Sequence, residues 1–453
     1  MTERAKISPA FEPFLARSGP HDKRDAIVIY RVPGSEDKRP RGRLRILKQR
    51  LEYVEKRSAA QRPIEKQLLQ GYEKEVGGQS SRSAPQLMAS HIGTGALPVA
   101  TVEITPRTLS ALAEQPNVVA ILPNQKIQLI KPKEVDYTEL SKQENKDGLT
   151  WGLKRLGIPE LWKTTKGQDI NVAVLDTGVY GDHGALAGRV KGFVVVDPLG
   201  RRVTAKPTFD CGTHGTHVCG TIAGGKTAEG LSIGVAPEAN LLVAGVLVGD
   251  ATVRTLLEGI SWAIENGADI INMSLGFTYY EPLFAQVFTM LVEQYGILPV
   301  VAIGNENHGN CSSPGNAHSA FSVGAAELMA RGKLDIAFFS SGASLVFPGD
   351  EPHALVTKPD VAAPGVQVFS CIPPEKRPHG IYEYSYMDGT SMATPHVAGV
   401  AALLMAAQPE AQVADIIGVL KETAEHPSGG DRRPDNRWGH GMIQPVKALE
   451  ALA

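Results

Sequence analysis

At 453 residues and 42% hydrophobic content, the chain exceeds one ordinary domain and can bury a substantial core. A formal net charge of -2 excludes binding to a polyanion by bulk charge, so no nucleic-acid partner is expected. The charge is nonetheless uneven: residues 1–130 carry 21 Lys+Arg against 13 Asp+Glu, and residues 151–453 carry 21 against 30, which means two solvated surfaces or two halves that attract each other.

In chain order, MTERAKISPAFEPFLARSG has scattered charges and lacks the apolar run of a secretory signal, so residues 1–24 read as a tail. DAIVIYRV (25–32) reads as a strand. Leu44, Leu47, Leu51 and Val54 then recur at spacings of three and four, the apolar stripe of a helix that Pro63 should end. GGQSSRSAP reads as a flexible loop, LPVATVEI as a strand, TPRTLSALAEQ as a capped helix and VVAILPNQKIQLI as one further strand. This order predicts a small α+β domain over 25–130. Residues 131–150, KPKEVDYTELSKQENKDGLT, are polar and read as a linker.

From Trp151 to Ala453 the texture changes. INVAVLDTG, NLLVAGVLV, ADIINMSLG, LPVVAIGN and FSVGAA are short, nearly continuous apolar runs, as expected of strands buried on both faces of a parallel sheet. Helical candidates lie between them: THVCGTIAG, TLLEGISWAIENG and PLFAQVFTMLVEQYG. The prediction is a doubly wound α/β domain with ligand chemistry at the carboxyl ends of its strands. No stretch of about 18 uninterrupted apolar residues occurs, so no membrane span is expected. Cys211, Cys219, Cys311 and Cys371 are too few for a disulfide framework, and a reducing, cytoplasmic location is expected.

Asp176 stands at such a strand end, in VAVLDTGV. An apolar run ending in D-T-G also presents the acid of an aspartic peptidase, but that chemistry needs two carboxylates sharing a proton, and no second such run occurs. Downstream lie HGTHVCG (214–220) and GTSMATPHVAG (389–399), the latter running into Val397, Val400, Leu403 and Leu404. Pro395 is expected in the first helical turn, which puts Ser391 at the helix N-terminus. A serine hydroxyl needs a base, and the base needs a carboxylate to orient it; Ser391, His214 and Asp176 supply the three types.

On VAVLDTG, HGTHVCG and DGTSMATPHVAG, residues 151–453 resemble a subtilisin-family serine peptidase, whose triad runs Asp, His, Ser along the chain. Cys219 stands where the family usually has alanine. The resemblance implies that Asp176 orients His214, and that Asn305 in VVAIGNEN donates to the oxyanion alongside the Ser391 N–H. It also implies that Ser274, Leu275 and Gly276 pair with substrate backbone and form one wall of the specificity pocket. Ala302 to Gly304 would form the other wall, with Ser312 near the base and Glu306 at the rim, where it could favour a basic side chain. Residues 25–130 resemble the family's inhibitory propeptide, which makes the front domain an intramolecular inhibitor and 131–150 a processing segment. The 34–85 stretch is longer than usual and reads as a solvated helix and loop.

A zinc site on Cys211, His214, His217 and Cys219 has suitable ligand types but competes with the triad for His214. No cofactor is required by the chemistry. Calcium commonly stabilises this family, but GGKTAEGLSIG lacks the asparagine-bearing pattern of its tight site. The expected function is a serine endopeptidase acting on polypeptides and made as a self-inhibited zymogen. A non-catalytic binding protein with a permanently occupied cleft is the alternative, and it has no need of all four catalytic side chains.

Overall fold

The computed structural model describes residues 6–32, 47–76, 90–136, 138–277, 281, 284–346, 355–430 and 433–453. In the front domain the strand Arg24–Tyr30 pairs antiparallel with Val99–Ile104 and Val118–Pro123, and Ser90–His91 completes a four-stranded sheet. Alternation along DAIVIY sends Ala26, Val28 and Tyr30 into a core with Leu109 and Leu112 of the helix Pro106–Glu114. Ile27 and Ile29 face the other way and join a cluster with Leu256 and Ile260 of the back domain. Both faces of the sheet are therefore buried.

Four expectations for the front half need correction. Residues from Lys6 onward are not a tail: Phe11 is fully buried in the front-domain core, and Lys6 Nζ donates at 3.0 Å to the carbonyls of Ala113 and Gln115 at a helix C-terminus. The helix Leu47–Val76 continues through Pro63. Its buried stripe is Arg50, Val54, Arg57 and Gln61, while Leu47 and Leu51 are exposed, so packing against the back domain overrides both the proline and the apolar pattern. Leu44 and GGQSSRSAP lie outside the described residues. The single strand expected over VVAILPNQKIQLI ends at Pro123, bends, and resumes as Gln128–Leu129 on a different sheet.

The polar linker is not extended chain either. Lys133–Val135 adds to the strand Gly380–Asp388, and Thr138–Asp147 is a helix whose Glu144 is buried. A carboxylate and strand hydrogen bonds hold this segment, and neither registers as hydrophobic periodicity.

The back domain carries a nine-stranded sheet among the described residues. Across it the order is Leu334–Ile336, Phe321–Leu328, Leu298–Ala302, Ile270–Met273, Asn171–Asp176, Asn240–Gly245, Val190–Val196 and Arg202–Val203, with Val361–Pro364 also on Phe321–Leu328. The central pairings are parallel and the two edge pairings antiparallel. The helices His214–Ala223 and Thr390–Ala407 cover one face; Val253–Glu265 and Ala285–Met290 cover the other. Among the described residues Thr390–Ala407 is also the one helix long and apolar enough to cross a membrane, and it lies in the core.

Candidate active site

Asp176 is the last residue of the central strand Asn171–Asp176 and is fully buried. Only glycine fits two residues on: Gly178 has φ +120°, and a Cβ there would lie 2.3 Å from the Phe209 carbonyl oxygen. The Asp176 Oδ1 accepts from Thr177 N–H at 2.7 Å and sits 2.8 Å from His214 Nδ1. That bond makes Nδ1 the donor and turns Nε2 toward the cleft. His214 opens its helix, and its position is fixed from below by Asp210. One Asp210 oxygen accepts from Thr177 Oγ1 at 2.6 Å, and the other accepts from Thr216 N–H and Oγ1 at 2.8 and 2.7 Å.

Ser391 is the second residue of the helix Thr390–Ala407, as the sequence predicts, but Pro395 is the sixth and lies beyond the first turn. A proline there leaves the carbonyl four residues earlier, that of Ser391, without its helical donor. Ser274 Oγ donates to that carbonyl at 3.2 Å. Ser274 therefore supports the backbone of Ser391 as well as standing just before the strand Leu275–Gly276.

Asn305 follows Gly304, whose φ is +120°. Its Oδ1 accepts from Thr390 N–H at 3.0 Å and Thr390 Oγ1 at 2.9 Å, which fixes Nδ2 as the end facing the cleft. Glu306 does not project outward from the rim: its Oε2 accepts from Ser312 Oγ at 2.9 Å and Ser341 Oγ at 3.1 Å. A Cβ on Gly304 would meet that oxygen at 2.3 Å and Ser312 Oγ at 2.6 Å, so Gly304, Glu306 and Ser312 meet in one polar recess, while Ala302 ends the strand Leu298–Ala302.

The cleft is filled by the chain itself. Gln128–Leu129 pairs antiparallel with Gly276–Leu275. Ser391 Oγ then donates to the Ile130 carbonyl at 2.9 Å, and Asn305 Nδ2 donates to the Lys131 carbonyl at 3.1 Å. The two groups address successive carbonyls. His214 Nε2 is buried without a hydrogen-bond partner.

The other zinc candidates, Cys211, His217 and Cys219, do not converge with His214 on a metal site. His217 Nε2 donates to the carbonyls of Val368 and Ser385 at 3.1 and 3.2 Å, Cys211 Sγ faces the Leu247 carbonyl, and Cys219 is buried in the core. Among the described residues no group of three or more His, Cys, Asp or Glu side chains gathers as a metal site. Burial pushes His217 down to about 3 and the Cys371 thiol up to about 12, so both are neutral packing groups near pH 7. Sequence reasoning missed Asp210 and Thr390. An acidic residue four places before His214, and a threonine beside Ser391, were the available signals.

A sequence profile described as the subtilase family matches residues 167–441. M-protease of Shouchella clausii (strain KSM-K16) is 32% identical over 358 residues, covering 78% of this chain and 79% of that protein. An intracellular serine protease of Paenibacillus polymyxa is 34% identical over 60% of this chain and 77% of its own. The crystal structure of fervidolysin from Fervidobacterium pennivorans, a keratinolytic enzyme related to subtilisin, superposes with TM-score 0.66 at 25% identity, over 96% of this chain and 62% of that one. With the parallel sheet and the placement of Asp176, His214 and Ser391, these matches show that the chain belongs to the subtilase family and is a subtilisin-like serine protease.

Proposed function

We propose that the protein is an endopeptidase made as a self-inhibited zymogen, with Ser391 as nucleophile, His214 as general base and Asp176 as the carboxylate that orients it. Asn305 Nδ2 and the Ser391 N–H hold the oxyanion, and Thr390 fixes the amide of Asn305. In the reaction Ser391 Oγ–H turns to His214 Nε2, the freed oxygen attacks the scissile carbonyl, and the imidazolium formed is stabilised by Asp176. Substrate lies as an extended chain on Leu275–Gly276, and the carboxylate of Glu306, held inside the recess, favours a basic or polar side chain there.

The observation that carries this reading is the chain segment 128–131 in the cleft, with Ser391 and Asn305 on its carbonyls. Self-cleavage at Ile130–Lys131 follows once the Ile130 carbonyl takes the place of the Lys131 carbonyl on Asn305, and the front domain stays docked as an inhibitor. Lys126–Asp250 and the Glu258 carboxylate on Gly93 N–H are among the contacts that hold it. The four cysteines, all free, support a reducing, cytoplasmic location. A fluorophosphonate probe tests the catalytic assignment: it should label Ser391 after limited proteolysis removes the front domain, and no labelling would leave the binding-protein reading standing.

A further inference from the structure

The strand Gly380–Asp388 gives one edge to Val368–Arg377 and the other to Lys133–Val135. It ends three residues before Ser391, so its second edge runs out of the catalytic centre on the side of the leaving half of a substrate. There Met387 lies opposite Glu134, whose carboxylate meets the Arg377 guanidinium and the Ser385 hydroxyl. Both donors are held independently of Glu134. Arg377 Nε and Nη2 donate to Glu375 at 3.0 and 2.7 Å, and its guanidinium lies 5.2 Å over the Tyr382 ring. The Ser385 carbonyl accepts from His217, one turn after His214 on the same helix, which ties this edge to the catalytic base.

We propose that this edge is the leaving-side substrate site, and that Arg377 and Ser385 select peptides with an acidic side chain opposite Met387. That position is the fourth residue after the carbonyl on Ser391 and the third after the one on Asn305. The inference rests on the proposed function. In the zymogen Glu134 fills the site, and when the linker leaves, the same contacts open to a substrate glutamate or aspartate. Backbone pairing takes any extended chain, while the guanidinium fork supplies the preference. Glu375 keeps part of that fork and repels a second acid, so the preference is moderate.

The test uses peptides identical except for Glu, Gln or Lys at the third or fourth position after the scissile bond, cleaved by the activated protein. At one of the two positions Glu should exceed Gln by about three- to tenfold in kcat/KM, through KM, with the ratio falling at high salt. Arg377→Gln should bring the ratio to about one, and Arg377→Glu should make the Lys peptide preferred. Ratios within about twofold at both positions, or an unchanged ratio in Arg377→Gln, would overturn the inference. Cleavage of no peptide at all would overturn the catalytic reading and this inference with it.

Discussion

Replacing Glu144 by glutamine should remove a pH dependence from the docking of the linker helix Thr138–Asp147. Glu144 is 1% exposed; Oε1 accepts from Trp151 N–H at 2.7 Å and Oε2 from Tyr386 O–H at 2.6 Å. Burial pushes its carboxyl up to about 7 from an ordinary 4.5, against the lowering effect of those two bonds. Because the folded value lies above the unfolded one, the docked helix binds the proton more tightly. Docking is strongest below 4.5 and weakens as pH rises through about 7. The full difference corresponds to at most about 3 kcal/mol, roughly two orders of magnitude in the opening equilibrium. Glutamine offers an oxygen to Trp151 N–H and an amide to Tyr386, so it reproduces the protonated state. Amide hydrogen exchange between pH 5 and 8, corrected for intrinsic rates, reads the effect. Protection of residues 138–147 should fall with pH in the wild type and stay level in Glu144→Gln. A level wild-type profile, or a slope that survives the substitution, would show that Glu144 does not set the pH dependence of this helix.

Asn305→Leu should lower kcat by about 10² to 10³-fold with little change in KM, the magnitude known for such a donor in subtilisin; a loss under about tenfold in steady-state kinetics would remove Asn305 from the oxyanion site. Arg50 is fully buried and Nη1 donates to the Ala268 carbonyl at 2.6 Å across the domain interface. Arg50→Ala should weaken docking by about 1–3 kcal/mol and shorten the lag before activity appears by roughly five- to a hundredfold. An unchanged lag in progress curves would show that this helix does not hold the front domain.

The elements that carry Asp176, His214 and Ser391 were legible because their geometry is local. A strand ending in D-T-G, a helix opening on His214 and a G-T-S turn into an apolar helix each fix one side chain at an element end, and the parallel sheet brings those ends together. Pro395 misled because the rule confining proline to a first turn ignores a distant donor, here Ser274 Oγ, that satisfies the freed carbonyl. The interface helix was read on its leucines, whereas Arg50, Arg57 and Gln61 bury their polar ends on partners that no pattern within the helix reveals. The linker failed for the same reason: Glu134 and Glu144 look like solvated charge until Arg377 and Tyr386 are placed beside them. Glu306 was expected at the rim of the specificity pocket, but its carboxylate turns to the hydroxyls of Ser312 and Ser341, partners that its own sequence neighbours do not reveal.

Intact-mass analysis of the purified wild type and of Ser391→Ala, each produced without other proteases, tests the central claim most directly. The wild type should be cut to a fragment beginning at Lys131, with the front domain still bound, and Ser391→Ala should stay whole with its fold unchanged. A wild type that remains uncut while it gains activity, or a Ser391→Ala chain cut at the same bond, would contradict it.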